Sequence, residues 1–265
     1  MIIIGEKING AIPSVAKAIV NRDSSFIQNL AVMQAGAGAH YLDICAGTSP
    51  EEEYKTLSWL IDAVQEVVDT PLCIDSPDPH ILASVFPRLR KPGLLNSLSL
   101  EGDKCDVLLP ILRDNPDWGA LALCCSQSGI ASRAEDKVLF ASQIIERAEE
   151  YGVALERLHI DPLVLALSAI NDAAVELIEA IKQIKAKYPA VCITAAVSNI
   201  SYGMPLRKLV NVNCITLLMG VGLDSLIADP LDRDVRGTIY AVEALLGRDK
   251  YCRNFNNAFR SGKIG

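Results

Sequence analysis

The sequence predicts an α/β chain folded as one (β/α)8 TIM barrel covering residues 1–265, and three observations predict it. Eight short, apolar, β-rich runs alternate with longer segments of helical periodicity. The 265 residues are the length that eight strand–helix units require. No stretch rich in Gly, Pro or Ser divides the chain, so the alternation belongs to one domain. Strands flanked on both sides by helices are expected to be parallel and buried on both faces.

In chain order, the first strand is expected over Ile2–Gly5, running into Glu6, Lys7 and Asn9. Gly36-Ala37-Gly38 stands before the second strand, Tyr41–Ile44. Ser49-Pro50-Glu51-Glu52 then reads as a capping box with proline at the first helical position. Strands three to five are expected at Leu72–Ile74, Leu94–Leu95 and Ala120–Leu123. Phe140, Ile144, Ile145, Ala148 and Tyr151 form one face of a helix that Gly152 ends, ahead of strand six at Leu158–Ile160. Ala174, Leu177, Ile178, Ile181 and Ile184 repeat that face, and Val191–Ala195 and Ser225–Ala228 complete the eight strands. The competing architecture, an open doubly wound sheet, needs a glycine-rich phosphate turn after a strand, whereas Gly36-Ala37-Gly38 precedes one.

Composition excludes several classes of function. The chain is 50% hydrophobic and 22% charged, too apolar for disorder. No run approaches the ~18 apolar residues of a membrane span; the nearest, Val210–Met219, is interrupted by Asn211, Asn213 and Thr216. A formal net charge of −7 and 5% aromatic content disfavour nucleic acid as partner. Met1–Ile4 is too short for an export signal, and the eight cysteines are scattered, so a cytoplasmic protein with reduced thiols is expected.

In a barrel of this kind the active site forms where strands end. There the sequence places Glu6, Asp43, Asp75, Asn96, Asp161, Ser198 with Asn199, and Asp229, with no strand-end Lys or Arg except Lys7. Asp and Asn also cap helices and form turns, a reading that applies best to Asp43 and Asp229. A rim of acceptors and carboxamides serves phosphorylated substrates poorly and suits a planar, donor-rich heterocycle. A carboxylate can accept from a ring N–H and an exocyclic amine together, as a 2-amino-4-oxopyrimidine offers them. Pterins present that edge.

Ile3-Ile4-Gly5-Glu6-Lys7-Ile8-Asn9-Gly10, Tyr41-Leu42-Asp43-Ile44, Leu72-Cys73-Ile74-Asp75-Ser76, Asn96-Ser97, Ile160-Asp161-Pro162-Leu163 and Ser198-Asn199-Ile200-Ser201 occur in the order and spacing of a known family. Over essentially its whole length the chain resembles the pterin-binding, dihydropteroate synthase-like barrels, most closely the methyltetrahydrofolate–corrinoid methyltransferases. The resemblance implies that Asp75, Asn96 and Asp161 hold the pterin ring, with Glu6, Asp43 and Ser198 lining its site. It places Asn199 as the catalytic group beside N5, the atom that carries the methyl group. A carboxamide there can stabilise charge at N5 as that charge develops. Tetrahydrofolate or methyltetrahydrofolate is then a substrate, and the other reactant is the cobalt of a corrinoid (cobalamin). The chain has no Asp-x-His-x-x-Gly cobalt-ligand loop, which implies a separate corrinoid protein; the resemblance also implies a homodimer. No metal site is expected in the chain itself.

Cys45 stands where members of that family often have Asn, and Cys124-Cys125 is an adjacent thiol pair without metal-ligand spacing. His159 is expected to be a strand residue. Two other functions compete. A dihydropteroate synthase would need Lys or Arg on the seventh loop, which reads Ser198-Asn199-Ile200-Ser201-Tyr202-Gly203, with Arg207 and Lys208 in the helix beyond. A non-catalytic pterin-binding subunit would need no group at N5.

Overall fold

The computed structural model describes residues 1–265. Nine strands are present: β1 (Ile2–Asn9), β2 (Tyr41–Cys45), β3 (Leu72–Asp75), β4 (Leu94–Leu100), β5 (Gly119–Ser126), β6 (Gly129–Ile130), β7 (Leu158–Asp161), β8 (Cys192–Ala196) and β9 (Ser225–Ala228). The helices are α1 (Pro13–Val20), α2 (Ser24–Gly36), α3 (Pro50–Gln65), α4 (Pro79–Val85), α5 (Lys104–Asp114), α6 (Ala134–Glu150), α7 (Ala173–Lys187), α8 (Arg207–Val221), α9 (Arg233–Leu245) and α10 (Arg253–Arg260). Strand order is β4-β3-β2-β1-β9-β8-β7-β5-β6, and the further β4–β5 pairing closes the ring. All strands of the ring are parallel, while β6 is a short antiparallel extension of β5. The structure is thus the (β/α)8 barrel that the alternation predicts.

The aliphatic half of the composition divides into two layers. The larger, of 55 buried residues, lies between the strands and the outer helices. Within the ring, Ile4, Cys73, Leu94 and Leu121 form a small plug, with Tyr41 and Ile227 against it. Above that plug the inward positions turn polar.

Two strands run further than their apolar residues suggest. The first extends to Asn9 and the fourth to Leu100, so Glu6 and Asn96 lie inside strands. Their side chains serve the barrel mouth, and the ladder continues past them. Ser49 and Pro50 do occupy the N-cap and first position of α3, but the Ser49 hydroxyl makes no bond to the helix backbone. Glu52 of that expected capping box instead pairs with Lys55 at 3.3 Å.

Candidate active site at the strand ends

The period-2 alternation of parallel strands sets the first part of the site. Cys45 on β2 is in register with Asp75 on β3, and Asp75 with Asn96 on β4. Two residues back along β2, Asp43 is in register with Cys73. Asn96 Nδ2 donates to Asp43 Oδ1 at 3.2 Å, both residues being buried. Asp43, Asp75 and Asn96 therefore form one continuous polar wall, with Asp75 the most open of the three.

Burial is the main reason that both carboxyls hold their protons more tightly than usual. For Asp43 the negative charge of Asp75 adds to burial, while Cys73 and Asn96 oppose it. For Asp75 the neighbouring Cys45 thiol pulls in the opposite direction, Glu53 adds to burial and Lys104 opposes it. Behind the wall the buried Ser76 hydroxyl donates to Glu53 Oε1 at 2.7 Å and accepts from the Asp78 amide at 3.1 Å, fixing the turn that follows β3. Cys45 thus stands beside the carboxylate at the mouth; its thiol is pushed far up by burial and by the charges of Asp75 and Asp43.

Glu6 and Ser198 meet in a cavity of about 270 Å³ that Arg207, Lys208 and Asp229 also line. Glu6 reaches it because β1 loses regular register between Gly5 and Ile8. The Lys7 amide donates to Gln34 Oε1 at 3.0 Å, and the Lys7 ammonium pairs with Asp229 at 3.2 Å. An irregularity of this kind re-aims side chains at a barrel rim. Burial, reinforced by Asp229, pushes the Glu6 carboxyl up to about 7, against the pull of Lys7 and Arg207. The charge of Glu6 is also felt at Asp43, which links the cavity to the wall.

Asp161 and Asn199 come from the other half of the ring. Asp161 is buried at the end of β7, and its Oδ1 accepts from the Leu163 amide at 2.7 Å. Burial raises its carboxyl to about 6, with the Leu163 amide and Lys137 opposing. Asn199 lies in a single 3-10 turn, Val197–Ser201, directly after β8, and is exposed. Arg207 anchors that turn, its guanidinium donating to the Ser198 carbonyl at 2.8 Å and to the Ser201 hydroxyl at 3.1 Å. Neither Asp161 nor Asn199 bonds directly to the Asp43–Asp75–Asn96 wall.

Strand-end reasoning named Lys7, left Arg207 and Lys208 in the helix beyond the seventh loop, and passed over Lys104 and Lys137. Lys104 and Arg207 open α5 and α8, Lys208 follows Arg207, and Lys137 lies in the first turn of α6. In a β/α unit the first helical turn returns to the rim at which the strand ended, a signal the sequence did carry. Adjacent Cys124 and Cys125 diverge: Cys124 joins the outer core, and the Cys125 thiol donates to Glu101 at 3.4 Å. His159 is a buried β7 residue whose Nδ1 lies 3.1 Å from the Thr194 hydroxyl. No group of three or more His, Cys, Asp or Glu side chains is gathered as a metal ion requires.

With this geometry described, comparison with known proteins is direct. The methylcorrinoid:tetrahydrofolate methyltransferase of Eubacterium limosum is 52% identical over 266 residues, spanning 100% of this chain and 98% of that protein. The methionine synthase of Mycobacterium leprae is 27% identical over 239 residues, 86% of this chain but 20% of that protein. Among solved structures, a dihydropteroate synthase from Xanthomonas albilineans superposes with a TM-score of 0.71 at 19% identity, covering 94% of this chain and 92% of that one. That last likeness concerns the fold. The family model described as pterin binding enzyme matches residues 8–229, from the end of β1 to the residue after β9, and the chain belongs to the pterin-binding enzyme family.

Proposed function

We propose that this chain is a methyltransferase that moves a methyl group between N5 of tetrahydrofolate and the cobalt of a corrinoid carried by a separate protein. The observation that carries this reading is the full-length 52% identity to a methylcorrinoid:tetrahydrofolate methyltransferase. The polar wall of Asp43, Asp75 and Asn96 agrees with it. That wall offers buried acceptors and a carboxamide to a flat, neutral, donor-rich ring. In the direction named for the relative, the cobalt–carbon bond breaks and its electron pair stays on the metal as Co(I). The N5 lone pair forms the new bond to carbon, and the N5 proton leaves to water.

In this reading Asp75, Asn96 and Asp161 hold the ring, Glu6, Asp43 and Ser198 complete its surroundings, and Asn199 acts at N5. The exposed 3-10 turn leaves the Asn199 carboxamide free to approach a substrate. The protein's contribution is orientation, polarisation of N5 and shielding from water. The dihydropteroate synthase alternative gains Arg207 near the seventh loop, but that guanidinium is engaged in holding the loop's backbone.

The 265 residues act as one domain, since β1 closes the ring against β9 and joins the two ends of the sequence. We place the chain in the cytoplasm, where its eight free cysteines stay reduced. No helix is long and apolar enough to cross a membrane. A second copy of the chain pairs through α8. Leu209 and Leu217 are exposed on it and also line an apolar groove of about 320 Å³ between α7 and α8. One helix thus supplies both ridge and groove, the self-complementarity that a two-fold interface needs. The groove runs from the outer helical layer to Leu167 and Ile200, which follow β7 and β8 at the strand ends.

The deciding experiment follows the visible spectrum of methylcobalamin with tetrahydrofolate, and of Co(I) cobalamin with methyltetrahydrofolate. Methyl transfer in either assay supports the reading. Tight tetrahydrofolate binding without transfer in both would make the chain a non-catalytic pterin-binding subunit.

A further inference from the structure

Lys137 is the largest fully buried side chain in the protein, 1% exposed, and it comes from the first turn of α6. A lysine ammonium is costly to bury and is found there only when its donors are used. Its Nζ donates to the carbonyls of Pro162 at 2.5 Å and Leu163 at 2.9 Å. These are the two residues immediately after Asp161. Leu163 has φ +62, a left-handed conformation that a leucine does not adopt without support. That conformation is what turns the Leu163 amide back onto Asp161 Oδ1.

We propose that Lys137 is a positioning residue for methyl transfer: it holds the Pro162–Leu163 turn that fixes Asp161 and keeps that carboxyl an ionised acceptor for the pterin ring. This rests on the reading of Asp161 as a ring-holding residue. Two effects act on one side chain. The turn occupies Oδ1 and leaves Oδ2 without a partner in the chain, so a ligand donor can take it. The buried cation also opposes the burial that would otherwise neutralise Asp161.

The groups facing Lys137 set the electrostatics. They are Cys124 from β5, Asp161 from β7 and Glu176 from α7. The Cys124 thiol is held protonated by burial and by Asp161. Glu176 is already engaged, pairing with Arg133 at 3.0 Å and accepting from the Ala134 amide at 2.6 Å. Asp161 is therefore the carboxylate left for Lys137 to balance.

The test measures tetrahydrofolate affinity by calorimetry from pH 5 to 8 for wild type, Lys137→Gln, Lys137→Met and Lys137→Arg. Gln can still donate to one turn carbonyl but carries no charge, whereas Arg keeps the charge. The acid limb of the affinity profile is expected to move up by about one pH unit in both neutral variants, with roughly threefold weaker binding at pH 6.5 and about tenfold at pH 5. Arg should restore the profile, and kcat at saturating folate should change less than KM. Folded neutral variants with the wild-type profile would overturn the proposal and leave Lys137 a packing residue. If neither neutral variant folds, the infrared carboxyl band that disappears in Asp161→Asn reports the wild-type midpoint directly. A midpoint near 6 supports the proposal, and one above 8 overturns it. Asp161→Ala with unchanged folate affinity would instead remove the underlying reading of Asp161, whatever the Lys137 variants do.

Discussion

Asn96 Nδ2 stands 3.2 Å from Asp43 Oδ1, a bond between adjacent polar layers of the barrel interior that joins β4 to β2 across β3. The carboxamide has a second N–H and a carbonyl left for a ligand, while the Asp43 carboxyl has few other donors in its buried position. Asn96→Ala strands that carboxyl, at a cost of about 1–3 kcal/mol of folding stability, and weakens tetrahydrofolate binding as well. Urea unfolding with calorimetric folate titration measures both, and unchanged stability would mean that the bond does not form in solution.

Asp75 and Asn199 should separate binding from chemistry. Asp75 is part of the wall, so Asp75→Ala is expected to weaken folate by about 30-fold, the loss of roughly 2 kcal/mol of charge-assisted bonding. Asn199 is exposed, and its replacement by Ala should leave stability within ~0.5 kcal/mol of wild type. Its rate of methyl transfer should nevertheless fall about a hundredfold, as for loss of one donor to developing charge. Equal losses of rate and affinity in Asn199→Ala would place that residue among the ring-holding groups.

The barrel was legible in the sequence because each strand carries its own apolar run and each helix its own periodic face. Asp75 and Asp161 were legible because they end such runs. Asn96 was also found, yet it lies inside β4, since the interior turns polar while the backbone ladder continues to Leu100. Gln34 and Lys137 were not found, and Arg207 was read only as a residue of the helix beyond the seventh loop. All three act from helices whose pattern advertises only packing or solvation, and apart from the Ser201 hydroxyl that Arg207 also reaches, their partners are backbone groups, which leave no side-chain signature. Lys137 in particular sits among Glu135, Asp136 and Val138, where a lysine reads as a solvated helix position.

His159 gives a pH dependence of stability that is independent of catalysis. Burial holds its imidazole neutral down to about 4, below its ordinary value of 6.5. As pH falls below 6.5 the unfolded chain therefore takes up a proton that the native chain refuses, and stability is lost between pH 6.5 and about 4. The upper bound is about 3.4 kcal/mol at 1.36 kcal/mol per unit. His159→Gln should flatten that acid limb in urea or thermal unfolding, and an unchanged limb would assign it to other groups.

The α8 face predicts the assembly. Leu209 is 60% and Leu217 55% exposed in the single chain, beside the groove that both help to line. Sedimentation should show a dimer at micromolar concentration, and Leu209→Asp with Leu217→Asp should give a folded monomer. A wild type that sediments as a monomer would remove the second copy from this face.

Gly5 and Gln34 should prove to be a matched pair. Gln34 is wholly buried on α2, accepts the Lys7 amide where β1 breaks register, and leaves its Nε2 without a partner. A β-carbon on Gly5 would stand 2.5 Å from Gln34 Oε1, so glycine there makes room for the acceptor. Gln34→Ala leaves the Lys7 amide unsatisfied and should cost about 1–3 kcal/mol. Gly5→Ala should cost a similar amount by driving Gln34 off that amide. Both should disturb the placement of Glu6, which follows the register break that Gln34 supports. Because each substitution breaks the same contact, the double variant Gly5→Ala/Gln34→Ala should be more stable than the sum of its single variants predicts, by at least about 0.5 kcal/mol. Strict additivity in urea unfolding of the four proteins would show that the two residues do not act through one contact, and the break in β1 would then need another cause.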